Sequence, residues 1–386
     1  MFNRVFLIVL DSLGIGSTDD AYKYNDEGAN TLLHTIGDKY NLDVLEKLGL
    51  TKLIGKEEEN TRGLYMRCNP QNTMKDSLNG HYEMMGAIMD KPYDLFPDGF
   101  PLELISKIQH AINREVIGNV KSDGIEIIND LAEMHIKTGA IIVYTSCDSV
   151  LQVAAHEDII SIDELYDICK TIRKVIDEEG YRIARVIARP FTGKAGDYQR
   201  TSKRKDFALD PPINVLDLLD RNKVNTITIG KISDMFNNKS INIKIKTTNN
   251  IDTMMKLIDF AKGNFSGLLF ANFNDFDSLY GHRRDRDGYL KALEEFNYYL
   301  PIFIKNLKKD DLIIITSDHG CDPTFKGSDH TREMLPILIY SPIFKKGKML
   351  NDRNTLADIG ATILDNFNIK NNLGIGNSIF DELRKG

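Results

Sequence analysis

Residues 312–332, LIIITSDHGCDPTFKGSDHTR, are the most informative stretch of this 386-residue chain. The apolar run Leu312–Ile315 is typical of a buried parallel strand. Two Asp-His pairs, Asp318-His319 and Asp329-His330, follow where that strand ends. Carboxylates and imidazoles are metal-binding groups, so the stretch predicts a metal cluster at the carboxyl edge of an α/β sheet.

Two more apolar runs of the same kind lead into acids. Val5–Leu10 runs directly into Asp11, and Gly267–Phe273 leads into a loop that carries Asp277 and His282. Carboxyl ends of neighbouring parallel strands meet at one edge of a sheet. If these strands are neighbours, their acids and the histidines of the adjoining loops form one constellation: Asp11, Asp277, His282, Asp318, His319 and His330.

Six oxygen and nitrogen ligands are enough for two divalent cations. Such a carboxylate-rich set without thiolate suits Mn²⁺ or Mg²⁺, with Zn²⁺ as the alternative. A single histidine at a strand end is more often a hydrogen-bonded structural residue. Because each of these three histidines comes with a nearby acid, we interpret the set as metal ligands.

The stretch 75–86, KDSLNGHYEMMG, predicts a loop that enters a helix at Ser77. Backbone amides at such a helix start favour a bound phosphate, which makes the Ser77 hydroxyl a candidate nucleophile. The commoner explanation of a hydroxyl at this position is an N-cap, with Gly80 as a packing contact. On this stretch alone both explanations stay open. His81 is undecided, with a structural role favoured.

The pattern changes between residues 93 and 210, where helical and strand patterns alternate between Pro- and Gly-rich turns. We predict an α/β fold with a mainly parallel sheet flanked by helices, in which residues 1–92 and 211–386 form the core domain. Residues 93–210 would be an inserted α+β cap domain. Its basic end, from Arg182 to Lys205, is either a solvated face or a clamp for an anionic substrate.

Charge and composition argue against several classes of binding partner and of structural site. The net charge of −7 argues against nucleic acid or an anionic membrane. Four scattered cysteines indicate neither a disulfide framework nor a thiolate zinc site. The apolar run near the amino terminus is too short for a membrane span, so we expect a cytoplasmic protein. The sequence indicates no oligomeric state.

Several strings together resemble phosphopentomutases of the alkaline phosphatase superfamily, and the resemblance spans nearly the whole chain, cap included. They begin at Asp11 (DSLGIG), Lys75 (KDSLNGH), Phe96 (FPDGFP), Tyr144 (YTSCDSVLQ), Arg185 (RVIARPF), Asp275 (DFDSLYGHRRD), Asp318 (DHGCDP) and His330 (HTRE). The metal-binding strings are shared across the superfamily. The cap strings, with GHRRD and DHTRE, are similar to the mutases themselves.

The resemblance implies one Mn²⁺ held by Asp277, His282 and His330, and a second held by Asp11, Asp318 and His319. It places Ser77 where the family has a threonine that carries the phosphoryl group. The implied substrates are pentose 1- and 5-phosphates of ribose or 2-deoxyribose, in nucleoside catabolism, and a sugar bisphosphate would activate the enzyme. The positions that would contact the sugar phosphate are Ser146, Asp148, Arg185 and Lys231.

Ser77 departs from the family pattern, and Cys321 raises a separate question because it places a thiol in the loop beside His319. Serine for threonine at position 77 keeps the hydroxyl, although the missing methyl leaves the side chain freer to rotate. Cys321 is either an inert thiol or a thiolate ligand that would shift the metal preference toward zinc. The rival functions are a metal-dependent phosphatase or phosphodiesterase, a cofactor-independent phosphoglycerate mutase, and an inert metal-binding module.

Overall fold

The computed structural model describes residues 1–89, 93–146 and 148–384. The chain divides into two compact units, one formed by residues 1–89 with 211–386 and the other by residues 90–210. The predicted boundary between residues 92 and 93 falls beside residues 90–92, which lie outside the described part of the chain. Each unit contains its own sheet.

The first unit is built around an eight-stranded mixed sheet. Its strand order is Ile243–Ile245, Thr226–Ile229, Gly267–Phe273, Arg4–Leu10, Asp311–Thr316, Leu335–Tyr340, Leu64–Cys68 and Lys348–Met349. The first five are mutually parallel, and Leu335–Tyr340 runs antiparallel to both of its neighbours. The predicted α/β fold is therefore confirmed. The three strands that lead into acids are consecutive in this sheet.

Helices flank this sheet. The longer ones are Ser77–Met84, Asn250–Lys262, Arg286–Lys305 and Ala357–Asn366. The shorter helical segments are Ala21–Tyr24, Thr31–Ile36, Asp43–Lys47, Thr51–Ile54, Val215–Arg221, Ile232–Met235, Phe276–Gly281 and Phe380–Leu383. The segment 55–72 is irregular in sequence, yet it contains the strand Leu64–Cys68. That strand is secured by its antiparallel pairing with Leu335–Tyr340, a distant segment.

The second unit is a sheet covered by three helices. Its strands are Val116–Lys121, Ile141–Thr145, Val150–His156, Arg185–Lys194 and Asp197–Arg200, with Lys205–Ala208 also paired to Arg185–Lys194. Its helices are Leu102–Ile112, Glu126–Thr138 and Ile162–Glu178. The helix Ile162–Glu178 begins at the N-cap Ser161, whose side chain accepts a hydrogen bond from the Glu164 amide.

At the end of the large sheet opposite its strand-end acids, Arg4 and Asp311 form a fully buried ion pair. The two residues are neighbours in register, and Arg4 Nε donates to Asp311 Oδ1 at 2.7 Å. The Arg4 guanidinium also donates to the carbonyls of Phe260, Ala261 and Gly263. These bonds join the ends of two core strands to the end of the helix Asn250–Lys262.

We expect Asp311→Asn to reduce the free energy of unfolding by about 3–5 kcal/mol, because it leaves the buried Arg4 cation without its counter-charge. Urea unfolding followed by circular dichroism measures this loss. The matched control is Asp310→Asn at the neighbouring exposed position, which should change stability by less than about 0.5 kcal/mol. A loss for Asp311→Asn no larger than that of the control would contradict the prediction.

Candidate metal and phosphoryl-transfer site

The three acids lie at the carboxyl edge of three adjacent parallel strands. Asp11 follows the strand Arg4–Leu10 directly, and Asp318 lies two residues after Asp311–Thr316. Asp277 lies in a π-helical turn, Phe276–Gly281, just beyond the strand Gly267–Phe273. All three side chains are buried. A π-helical turn is rare and occurs often at functional sites.

The backbone around Asp11 is held tightly. Ser12 adopts a left-handed conformation (φ 67°), and its amide donates to Asp318 Oδ1 at 3.1 Å. Tyr289 donates from its hydroxyl to the Asp11 carbonyl at 3.1 Å. Gly14 is needed for packing, because a Cβ there would overlap the Glu333 side chain. These contacts place the Asp11 and Asp318 carboxylates beside each other.

One ligand group consists of Asp11, Asp318 and His319, whose ligand atoms lie within 4.8 Å of one another. His319 Nε2 is 3.5 Å from Asp11 Oδ1 and 3.5 Å from Asp318 Oδ2. The His319 Nδ1 atom lies 3.2 Å from the Gly320 carbonyl. In the neutral imidazole, donation from Nδ1 to that carbonyl would leave the Nε2 lone pair directed at the carboxylates.

The second group consists of Asp277, His282 and His330. His282 Nε2 is 3.1 Å from Asp277 Oδ2, His330 Nε2 is 3.4 Å from Asp277 Oδ1, and the two Nε2 atoms are 3.1 Å apart. Their Nδ1 atoms are bound by the carbonyls of Ser328 and Lys75, respectively. The structure thus brings the six predicted ligands together, and Asp277 and His330 also lie within 4.8 Å of His319.

These donor atoms fit divalent cations. Asp277 Oδ1 and Asp318 Oδ2 are buried and have no well-aligned hydrogen bond from a described residue. The nearest nitrogens are His330 Nε2, 3.4 Å from Asp277 Oδ1, and His81 Nδ1, 3.3 Å from Asp318 Oδ2. Two ligands on one cation at about 2.1 Å lie roughly 3.0–3.4 Å apart. The nitrogen–oxygen distances here are close to that range, from 3.1 to 3.5 Å. When the three imidazoles are neutral and each Nδ1 donates to a carbonyl, their Nε2 lone pairs and the carboxylate oxygens face the same space, which suits a divalent cation.

Cys321 adjoins this cluster. Its thiol lies within ligand distance of Asp277 and His282, and it receives a hydrogen bond from Arg284 Nη1 at 3.0 Å. Burial raises the pKa of the Cys321 thiol to about 12, although Arg284 acts in the opposite direction. The neutral thiol at neutral pH favours the inert explanation in the metal-free chain.

Ser77 lies at the first position of the helix Ser77–Met84, and Asp76 is the N-cap, its side chain accepting from the Asn79 amide. The N-cap explanation of Ser77 is therefore wrong. Gly80 lets this helix approach the sheet edge, since a Cβ there would overlap the Asp318 carbonyl. Ser77 Oγ consequently lies 3.1 Å from His319 Nε2 and 3.4 Å from Asp11 Oδ1.

Lys231 reaches the same oxygen. Its Nζ donates to Ser77 Oγ at 3.1 Å and lies 2.6 Å from Asp11 Oδ2. Burial alone would lower the Lys231 pKa, but the carboxylates of Asp11 and Asp318 outweigh burial and raise it. The structure thus places an ammonium on the candidate nucleophile, where sequence reasoning had predicted only a contact with the sugar phosphate.

The remaining predicted substrate residues lie in the second unit. The Asp148 amide approaches Ser146 Oγ at 3.4 Å in an exposed turn, and Cys147 between them lies outside the described residues. Arg185 begins the adjacent strand, where its amide donates to the Ser149 carbonyl at 3.4 Å, and its guanidinium lies 3.7 Å from Asp206. The turn and the start of the strand are therefore neighbours.

The comparison with known protein families agrees with a site built from carboxylate and imidazole donors. The sequence profile of the metalloenzyme superfamily matches residues 3–371. The chain belongs to the metalloenzyme superfamily. The candidate ligand groups described above could hold the divalent metal that this superfamily implies.

Three solved structures illustrate what this metalloenzyme is similar to. The PH0037 protein from Pyrococcus horikoshii is 15% identical, with 97% of this chain and 100% of that chain covered and a TM-score of 0.48. Leishmania mexicana phosphoglycerate mutase is 14% identical, with 98% of each chain covered and a TM-score of 0.47. The alkaline phosphatase from the Antarctic bacterium TAB5 is 11% identical, with 96% and 99% covered and a TM-score of 0.35.

No helix in the described part of the metalloenzyme combines the length and the apolar character that crossing a bilayer requires.

Two positioning residues of the metalloenzyme were not assigned a functional role from sequence. His81 is fully buried, with Nδ1 2.7 Å from the Ser77 carbonyl and 3.3 Å from Asp318 Oδ2. Asn272 donates from Nδ2 to Asp11 Oδ2 at 2.9 Å. For Asn272, the available sequence signal was a side-chain amide near the end of the otherwise apolar strand Gly267–Phe273. His81 lies one helical turn after Ser77, a spacing that also indicates proximity.

Metal binding should release a proton from His319. Burial alone would lower the His319 pKa, but Asp318 and Asp11 raise it from 6.5 to about 10. This protonation stabilises the metal-free fold fully below about pH 6.5, and the stabilisation is lost as the pH rises through about 10. Because a metal ligand must be neutral, Mn²⁺ binding at pH 8 should displace about one proton per chain.

Calorimetric Mn²⁺ titrations in two buffers of different protonation enthalpy measure that proton release. We expect the apparent affinity to fall by up to about tenfold for each pH unit below about 10 through this residue. Heats that are independent of the buffer at pH 8 would contradict the prediction.

Proposed function

We propose that this metalloenzyme is a phosphopentomutase, which interconverts ribose (or 2-deoxyribose) 1-phosphate and the 5-phosphate through a phosphorylated Ser77. The observation that supports this most is the position of Ser77 Oγ, 3.1 Å from Lys231 Nζ and 3.1 Å from His319 Nε2, beside two metal-ligand groups. A hydroxyl between an ammonium and a metal-ligand cluster suits phosphoryl transfer.

Two bound divalent cations, Mn²⁺ in this proposal, would lower the pKa of the hydroxyl and neutralise the charge on phosphate oxygens. Asp11, Asp318 and His319 would hold the cation nearer Ser77, and Asp277, His282 and His330 would hold the other. Lys231 would stabilise the negative charge on Ser77 Oγ before transfer and on the phosphoserine oxygens after it. His81 and Asn272 would keep the nucleophile and Asp11 in place.

The reaction balances in two transfers. Phosphoserine 77 passes its phosphoryl group to the 1-hydroxyl of ribose 5-phosphate, which loses its proton, and Ser77 regains a hydroxyl. The resulting 1,5-bisphosphate then transfers its 5-phosphoryl group to Ser77, and the sugar leaves as the 1-phosphate. A sugar bisphosphate would prime the serine at the start. The cytoplasmic location, the pentose phosphate partners and the substrate residues Ser146, Asp148 and Arg185 remain predictions.

The test is isomerisation of ribose 1-phosphate with Mn²⁺ and a catalytic amount of sugar bisphosphate, and then without each. We expect turnover that requires both and releases little inorganic phosphate. Phosphate release from ribose 5-phosphate at a rate equal to isomerisation would instead indicate a phosphatase, in which water resolves the phosphoserine. Absence of both reactions, with no bound metal, would leave only a binding role.

A further inference from the structure

The second unit has a sheet face that carries several arginines. Side chains alternate between the two faces of a strand, so Arg185 and Arg189 share a face of the strand Arg185–Lys194. Arg200 pairs with Phe191, which lies on that same face. The face is shared by Tyr144, Gln152 and Asp206 of neighbouring strands, and Arg204 lies just before the strand Lys205–Ala208.

The charges on this face are only partly compensated. Asp206 neutralises Arg204 through two hydrogen bonds of 2.7 Å. Arg189 donates to the amide oxygen of Gln152 at 3.0 Å. In the part of the chain that the structure describes, no carboxylate lies within ion-pair distance of Arg189 or Arg200. Burial and the positive charges of Arg204 and Arg200 lower the pKa of Arg189, so the guanidinium lacks a full counter-charge.

A buried hydroxyl completes the cluster. Tyr144 is fully buried, and no described residue accepts the proton of its hydroxyl. The Arg200 guanidinium lies beside this hydroxyl and acts against the burial that raises the Tyr144 pKa. The Arg200 guanidinium and the Tyr144 hydroxyl both pack over Gly124, where a Cβ would overlap them. A buried hydroxyl whose proton lacks an acceptor costs stability, and an anion that accepts its hydrogen bond would remove that cost.

We propose that Arg189, Arg200 and the Tyr144 hydroxyl form an anion-binding site in the second unit that takes the phosphate group of a sugar phosphate. Two guanidinium groups offer several planar donors and two positive charges, which match the geometry and charge of a phosphate monoester dianion. Arg204, already paired with Asp206, adds long-range attraction only. The choice of a sugar phosphate as the ligand rests on the proposed function.

The test uses the full-length, Mn²⁺-loaded chain with Ser77→Ala, in which no phosphoryl transfer to Ser77 occurs. Calorimetric titration with ribose 5-phosphate compares this background with Arg189→Gln plus Arg200→Gln, and with Tyr144→Phe. We expect the double variant to weaken binding by roughly 30-fold or more and Tyr144→Phe by about fivefold. The control, Arg114→Gln, removes an ion-paired arginine of the same unit and should change affinity less than twofold.

Unchanged affinity in the double variant, with an unchanged melting temperature, would overturn the site. So would an equal loss in the Arg114→Gln control, because the effect would then be one of general charge. If the double variant does not fold, Tyr144→Phe decides, since it removes a single oxygen atom. The titration needs no turnover, so its failure is distinct from a failure of the isomerisation assay.

Discussion

Ser77→Ala is expected to lower ribose 1-phosphate isomerisation by on the order of 10⁴-fold, because no oxygen remains to accept the phosphoryl group. Ser77 Oγ is the hydroxyl that contacts Lys231 Nζ, His319 Nε2 and Asp11 Oδ1. The backbone at this position is fixed by the Asp76 cap, so the variant should keep its fold. The measurement is coupled turnover together with intact-protein mass after incubation with the bisphosphate.

The matched variant is Ser77→Thr, which keeps the hydroxyl and restores the residue of the family that the sequence resembles. We expect it to retain turnover within about tenfold and to gain the mass of one phosphoryl group, whereas Ser77→Ala gains none. Turnover or phosphorylation retained in Ser77→Ala would refute the role of the serine. A mass gain in wild type without isomerisation would favour the phosphatase alternative.

Asp11→Asn is the second change with a large expected effect, roughly 10³-fold or more on turnover. The Asp11 carboxylate lies 3.5 Å from His319 Nε2 and 2.6 Å from Lys231 Nζ, so it serves the metal cluster and the ammonium together. Replacing it by an amide removes one anionic ligand. It also removes the main charge that raises the Lys231 pKa.

Metal content measured by atomic emission should fall from two ions per chain toward one in Asp11→Asn. Lys231 should become easier to deprotonate, because its pKa falls when Asp11 loses its charge. The control is Asp287→Asn, whose carboxylate is exposed and belongs to none of the candidate ligand groups. It should keep both ions and full turnover. Two tightly bound ions in Asp11→Asn would contradict the assigned ligand set.

Local features of the sequence accounted for much of the fold. Apolar runs such as Val5–Leu10, Gly267–Phe273 and Leu312–Ile315 are recognisable because a strand buried on both faces needs apolar side chains along its length. The strand Leu64–Cys68 could not be predicted from its local sequence, because its stability depends on pairing with Leu335–Tyr340, far along the chain. The local sequence pattern of a strand does not indicate which distant segment pairs with it.

At the candidate site, too, some features were predictable from local sequence and others depended on tertiary contacts. Acids directly after buried strands predicted a metal-ligand edge, because parallel strands must end together. The N-cap could not be assigned from the segment alone, since Asp76 and Ser77 are both suitable capping residues. Lys231 was predicted as a substrate contact, yet only the packed structure shows its ammonium on Ser77 Oγ.

By itself, the sequence determined which chemical groups are available: three acids at strand ends, three histidines in the following loops and one hydroxyl at a helix start. Tertiary structure decided which atoms meet. The order of strands places Asp11 between Asp277 and Asp318. Carbonyls supplied by Ser328, Lys75 and Gly320 turn the histidine Nε2 atoms toward the carboxylates. Side-chain identity is local information, whereas the orientation of an imidazole depends on partners that only folding brings together.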